Sequence, residues 1–138
     1  GRERIARTQT SVAVCDRTSF VRVSEATSGH EALARMHEAR LSECYAVDSE
    51  GCLVGKLGVF DAQDSGAESI ASNLDRNPLG FSTTDSLDAA MSAAKGFVGE
   101  GVPLLDANTK KIIGVISEGS LMHAALTAQE STQRMERD

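Results

Sequence analysis

The chain has 138 residues, 41% hydrophobic but only 4% aromatic, and a formal charge of −6. That length suits one domain burying roughly two-thirds of the surface its unfolded form exposes, so folding requires no metal or disulfide. The acidic balance excludes the strongly basic footprint of a nucleic-acid binder, and no apolar run approaches the roughly 20 residues of a bilayer span.

The start, Gly1-Arg-Glu-Arg-Ile-Ala-Arg7, is charged and lacks the apolar stretch of a signal peptide, so a soluble, cytoplasmic chain is expected. Residues 1–18 read as a polar lead-in, with the alternating Ser11-Val-Ala-Val-Cys15 as a candidate edge strand. Phe20-Val-Arg-Val23 is a short strand with Phe20 or Val21 facing inward. Thr27-Ser28 followed by Glu31 is a capping-box start, opening a helix that runs to about Arg40. Ala32, Leu33, Met36 and Ala39 form its apolar stripe. Cys44-Tyr-Ala-Val47, the turn Asp48-Ser-Glu-Gly51 and Cys52-Leu-Val-Gly-Lys-Leu57 make a hairpin, with Val47 opposite Cys52 and Cys44 opposite Gly55. A second helix begins near Asp61 and continues with breaks to Asn73.

From Asn77-Pro78 the pattern restarts. Phe81 stands for Val23, Thr84-Asp85 opens the helix, and Leu87, Ala90, Met91 and Ala94 lie at helical spacing. Val102-Pro-Leu-Leu105 and Lys111-Ile-Ile-Gly-Val-Ile116 are strands about the turn at 106–110, and a last helix spans 118–128. The polar residues beyond are expected to fray into a tail.

The repeat can be measured. Leu33 maps to Met91 and Asp48 to Asp106 at an offset of 58, and Gly55 to Gly114 at 59, so the second turn holds one extra residue. Two copies of strand-helix-strand-strand-helix, each too small to bury its own face, should pack about a pseudo-twofold axis. The expected division is 1–18 lead-in, 19–75 first repeat, 76–128 second repeat and 129–138 polar tail.

Leu104-Leu-Asp106 with Ile113-Gly-Val-Ile-Ser-Glu-Gly-Ser-Leu121, and Val47-Asp48 with Leu53-Val-Gly-Lys-Leu57, resemble the tandem CBS-domain pair, or Bateman module, over about residues 20–128. A narrower likeness, in Pro78-Leu-Gly-Phe81, Ser86-Leu-Asp-Ala-Ala-Met91, Phe97-Val-Gly-Glu-Gly-Val-Pro103 and Cys44-Tyr-Ala-Val-Asp48, is to the cytoplasmic pair that follows the membrane part of CLC chloride channels and transporters. The resemblance implies an α/β regulatory domain, two CBS repeats about a pseudo-twofold axis. It further implies a homodimer, with the parent's membrane transport domain as partner and an adenine nucleotide (AMP, ADP or ATP) as ligand.

In that family glycine, two residues, Ser or Thr, two residues and Asp follow the hairpin. The hydroxyl and the helix-start N–H groups hold phosphate, and the carboxylate takes the ribose hydroxyls. Apolar strand residues, here Val21 and Pro103, would pack the adenine. Copy one reads Gly55-Lys-Leu-Gly58-Val-Phe-Asp61, keeping the carboxylate; copy two reads Gly114-Val-Ile-Ser117-Glu-Gly-Ser120, keeping the hydroxyl. Ser120 offers ribose only an uncharged contact, and Glu118 would repel phosphate. Two readings stay open: a nucleotide site at Asp61, Ser117 and Ser120, or a ligand-free dimerisation scaffold in which Asp61 and Ser117 only cap helices.

Other chemistry is poorly supported. His30 and His37 lie about two helical turns apart, roughly 10 Å, too far to share one metal. The three cysteines, Cys15, Cys44 and Cys52, form no CxxC and no even framework, which suits a reducing compartment. Gly96-x-x-Gly99-x-Gly101 leads from helix to strand, the reverse of a phosphate loop, and is expected to cap the helix while Phe97 and Val98 anchor the turn. No spacing supports a nucleophile, a base and an orienting group together, so no enzyme is expected.

Overall fold

The computed structural model describes residues 2–137. In the first half, β1 (Val21–Val23) leads to α2 (Gly29–Ala39), β2 (Glu43–Val47), β3 (Leu53–Gly58) and α3 (Val59–Ser65). The second half repeats this with β4 (Phe81–Ser82), α4 (Leu87–Ala93), β5 (Val102–Leu105), β6 (Ile112–Ile116) and α5 (Glu118–Arg137). A helix α1 (Arg2–Gln9) precedes both. Each half has a three-stranded sheet, ordered β1-β2-β3 and β4-β5-β6, with the outer strand parallel and the hairpin antiparallel. The fold is mixed α/β, as the sequence implied.

The duplication extends to hydrogen-bonding detail. Val23 pairs with Ala46 and Phe81 with Leu104, both at the offset of 58. Each hairpin carries a bulge at the same place, between Ala46 and Val47 and between Leu104 and Leu105. Ser28 caps α2 by accepting from the Glu31 N–H at 3.1 Å, and Ser86 caps α4 from Ala89 at the same distance. Gly51 and Lys110, equivalent turn residues, both adopt left-handed backbone (φ 85 and 66). A serine cap leaves a free N–H partnered in either copy, so the cap survives divergence around it.

Several local expectations are corrected. Residues 12–14 form a 3₁₀ turn, not an edge strand: the Ser11 hydroxyl accepts from the Ala13 N–H and folds the chain over. The bulge moves the hairpin register, so Cys44 faces Leu57 and Val47 faces Leu53. The cap of α4 is Ser86; Asp85 instead accepts from the Ser82 N–H. Ala39 is exposed, Val98 is 89% exposed and anchors nothing, and α5 stays helical to Arg137. The breaks after Asp61 resolve into α3, ending at Gly66, and a 3₁₀ turn at Ile70–Asn73.

Residues 10–18 are not a free connector. The Leu87 N–H donates to the Thr10 carbonyl at 2.9 Å, the Val12 N–H to Asp85 at 2.8 Å and the Thr18 N–H to Val115 at 2.8 Å. In the first half Gly29 donates to Glu68, Ile70 to Thr27 and Lys56 to Asp75. The N-terminal segment therefore gives the second half what residues 68–75 give the first. Val12 and Cys15 belong to the second half's core, with Phe81, Leu87, Leu104 and Ile116, while α1 packs on α4 and α5. A separate core holds Val23, Met36, Cys44, Leu57 and Ile70.

Equivalent residues that touch one another must lie on the pseudo-twofold axis. Cys52 bridges to Lys111, offset 59, and the Ser42 N–H donates to Glu100, offset 58, at 2.8 Å. Between these ends a third apolar cluster of Tyr45, Ile112 and Val115, flanked by Phe20, Val47, Leu53 and Leu105, joins the halves.

Candidate functional site

Each half ends its hairpin at a helix start, and these two starts are the candidate sites. In the second half the Ser117 hydroxyl accepts from the Ser120 N–H at 3.1 Å and so caps α5. It keeps a donor and a second lone pair for another group. The Ser120 hydroxyl donates to the Asp16 carbonyl at 2.7 Å. The motif glycine, Gly114, lies under the Arg17 side chain, whose guanidinium donates to the Ala13 carbonyl at 3.0 Å. A cavity of about 520 Å³ opens beside this turn between α1 and α5, with Cys15, Asp16, Ser120 and His123 in its wall.

In the first half the corresponding start is barer. Gly58 offers no side-chain cap to α3. Asp61 is exposed, and its backbone carbonyl accepts from Asn73 Nδ2 at 3.4 Å. Gly55 is covered by Leu74 and Asp75 as Gly114 is by Arg17. Ser117 and Ser120 thus share one helical turn, whereas Asp61 opens a different helix in the other half. Val21 sits in the first half's core and Pro103 is fully buried in β5, so both contribute packing at the sheets.

A polar cluster at the axis went unrecognised in the sequence. Lys56 Nζ lies 2.6 Å from Glu43 Oε2, with both side chains about 15% exposed (14% and 15%). The other Glu43 oxygen accepts from the Glu100 N–H at 2.7 Å, and the Lys56 ammonium sits 4.9 Å from the Phe97 ring centroid. The Tyr45 hydroxyl reaches the Gly101 carbonyl at 3.4 Å, and burial, with Glu43 and Glu100 nearby, pushes its pKa up. The lone Lys in Gly55-Lys-Leu57 and two acidic residues, Glu43 opening β2 and Glu100 before β5, were the only signal. Their meeting depends on the axis, which no local pattern encodes.

Burial pushes the Cys44 thiol up to about 11 and raises Cys15 as well, while Cys52 Sγ donates to the Thr109 carbonyl at 3.3 Å. In the second turn the N–H groups of Thr109 and Asn108 lower the Asp106 carboxyl and thereby hold the hairpin loop.

No family model matches the chain, and no curated protein matches it. Solved structures do. A CBS domain pair/ACT domain protein from Thermotoga maritima superposes with TM-score 0.74 at 21% identity, covering 86% of this chain and 98% of that one. The cytosolic domain of the Mg²⁺ channel MgtE in complex with ATP gives 0.73 at 16%, covering 84% and 49%. CBSX2 in complex with AMP gives 0.64 at 19%, covering 91% and 97%. With two in-register halves about one axis, this chain has the fold of a CBS domain pair.

Proposed function

We propose that this chain is a regulatory CBS pair serving a larger transport protein, of the kind that follows the membrane part of CLC chloride channels. It would dimerise through its helices and sense an adenine nucleotide. The observation that carries this reading is the doubled architecture itself, two separate cores joined along one axis. A ligand that favours one packing of such halves shifts the population between packings. Among the described residues no helix is long and apolar enough to cross a membrane, so in this reading the transport domain lies elsewhere in the parent protein. MgtE with ATP and CBSX2 with AMP are the kind of precedent the reading draws on.

The second half is the proposed nucleotide side. Phosphate would meet the unpaired N–H groups opening α5 and the free donor of Ser117. Ribose would compete for the Ser120 hydroxyl, which now holds Asp16. Releasing Asp16 loosens residues 16–18, and through them α1, which gives the signal an exit toward the N-terminus. Calorimetric titration of the whole chain with AMP, ADP and ATP tests this. Heat with a matching rise in Tm is expected; no heat and no thermal shift at millimolar nucleotide refutes the sensor.

The same Ser120–Asp16 bond favours a second reading, a ligand-free dimerisation scaffold whose clefts are filled by its own chain. Sedimentation separates the two: a dimer indifferent to nucleotide supports the scaffold.

A further inference from the structure

We propose that the second half binds a small, neutral, largely apolar molecule of one or two rings, in a cavity beneath the glycine turn between α4 and β5. The cavity measures about 350 Å³, within the range of small-molecule sites. Its floor is core: Phe81 is 1% exposed, Ile116 1%, Val102 4% and Leu121 5%. The half-buried Met91 and Phe97 and the more exposed Met122 form its walls. A hollow reaching residues this deep is no shallow protein-docking surface.

Comparison of the halves explains why it exists. At the offset of 58, Gly99 stands where the first half has Leu41, which packs on that half's core, and Gly101 stands for Glu43. Helix α4 has 7 residues against 11 in α2, so a loop replaces the last helical turn. The Phe97 ring occupies the room a side chain at Gly99 would need and Val115 the room one at Gly101 would need, so the hollow lies beside these glycines, where α4 is one turn shorter. The corresponding first-half region is a wider groove in which Leu33, Leu41 and Val59 are edged by His30, His37, Arg40 and Glu100.

The lining chemistry selects the ligand. Two phenyl rings give edge or face contacts to another ring, and two thioethers adapt to its outline. The exposed Lys95 and Glu118 at the rim carry opposite charges and so favour neither anion nor cation. The site shares Ser117 and Glu118 with the proposed nucleotide turn, but its Phe81, Met91 and Phe97 walls take no part in that turn, so it stands if that reading fails.

Indole is a suitable probe, read by ¹³C-methyl methionine NMR of the whole chain. The methionines are Met36, Met91, Met122 and Met135. Saturable shifts at Met91 and Met122 are expected, with Met36, fully buried in the other core, unmoved. Ala94→Leu, which fills the cavity, should weaken indole binding by at least about tenfold while the amide signals of Val102–Leu105 and Ile112–Ile116 report an intact second half. Ala94→Val serves if the larger side chain disturbs folding. Unmoved Met91 and Met122 signals at the solubility limit, or equal shifts in the filled variant, overturn the proposal. So do signals that follow protein concentration instead of indole, because a second copy then occupies the cavity.

Discussion

At position 29 the first half carries glycine; 58 residues later the second carries Leu87. Both residues begin a helix after a serine cap, and both donate their N–H to the incoming segment, Gly29 to Glu68 and Leu87 to Thr10. Their packing is opposite. A Cβ at Gly29 would collide with the Ala62 carbonyl, because α3 lies against α2, whereas the fully buried Leu87 fills the second core. Backbone hydrogen bonds are directional and tolerate little drift, while apolar volume can be redistributed among neighbours. The halves have therefore kept the serine caps of α2 and α4, their bulges and their bridges, and exchanged their contents.

The largest expected break in this comparison is Leu87→Ala, which leaves a void in the second core and should cost about 2–5 kcal/mol in urea unfolding. Gly29→Ala should cost about 1–3 kcal/mol, because backbone on both sides has to move. A neutral Gly29→Ala would mean the α2–α3 contact is looser than described. Glu43→Gln tests the asymmetric axis cluster, which has no counterpart at Gly101. Losing a well-buried charged acceptor from Lys56 and the Glu100 N–H should cost about 1–3 kcal/mol. The smallest effect is the most diagnostic of duplication. Ser28→Ala and Ser86→Ala should each cost about 1 kcal/mol, and by nearly equal amounts.

Much of the architecture was legible because it is local. Period-2 and period-3.6 apolar patterns, serine before each helix and turn residues at 48–51 and 106–110 encode elements without reference to partners, and the 58-residue offset exposes the doubling. What failed was non-local or one residue wide. Ser11-Val-Ala-Val-Cys15 alternates like a strand, yet the Ser11 hydroxyl and the need to cover α4 fold it into a turn. The hairpin register missed the bulge, which inserts a residue without changing the pattern. Of the candidate site residues, Ser117 and Ser120 share a turn as their spacing requires, while Val21 and Pro103 lie buried in the two sheets. The Glu43–Lys56–Glu100 cluster could not be seen, since it forms only where the axis brings 43 and 100 together.

In the proposed function the second half carries the regulatory chemistry and residues 16–18 respond to it. Amide NMR during AMP titration addresses it directly. Saturable shifts confined to residues 114–121 and 16–18 are expected, with α3 and Asp61 silent. Shifts centred on residues 58–62 instead, or none at millimolar AMP, would contradict it.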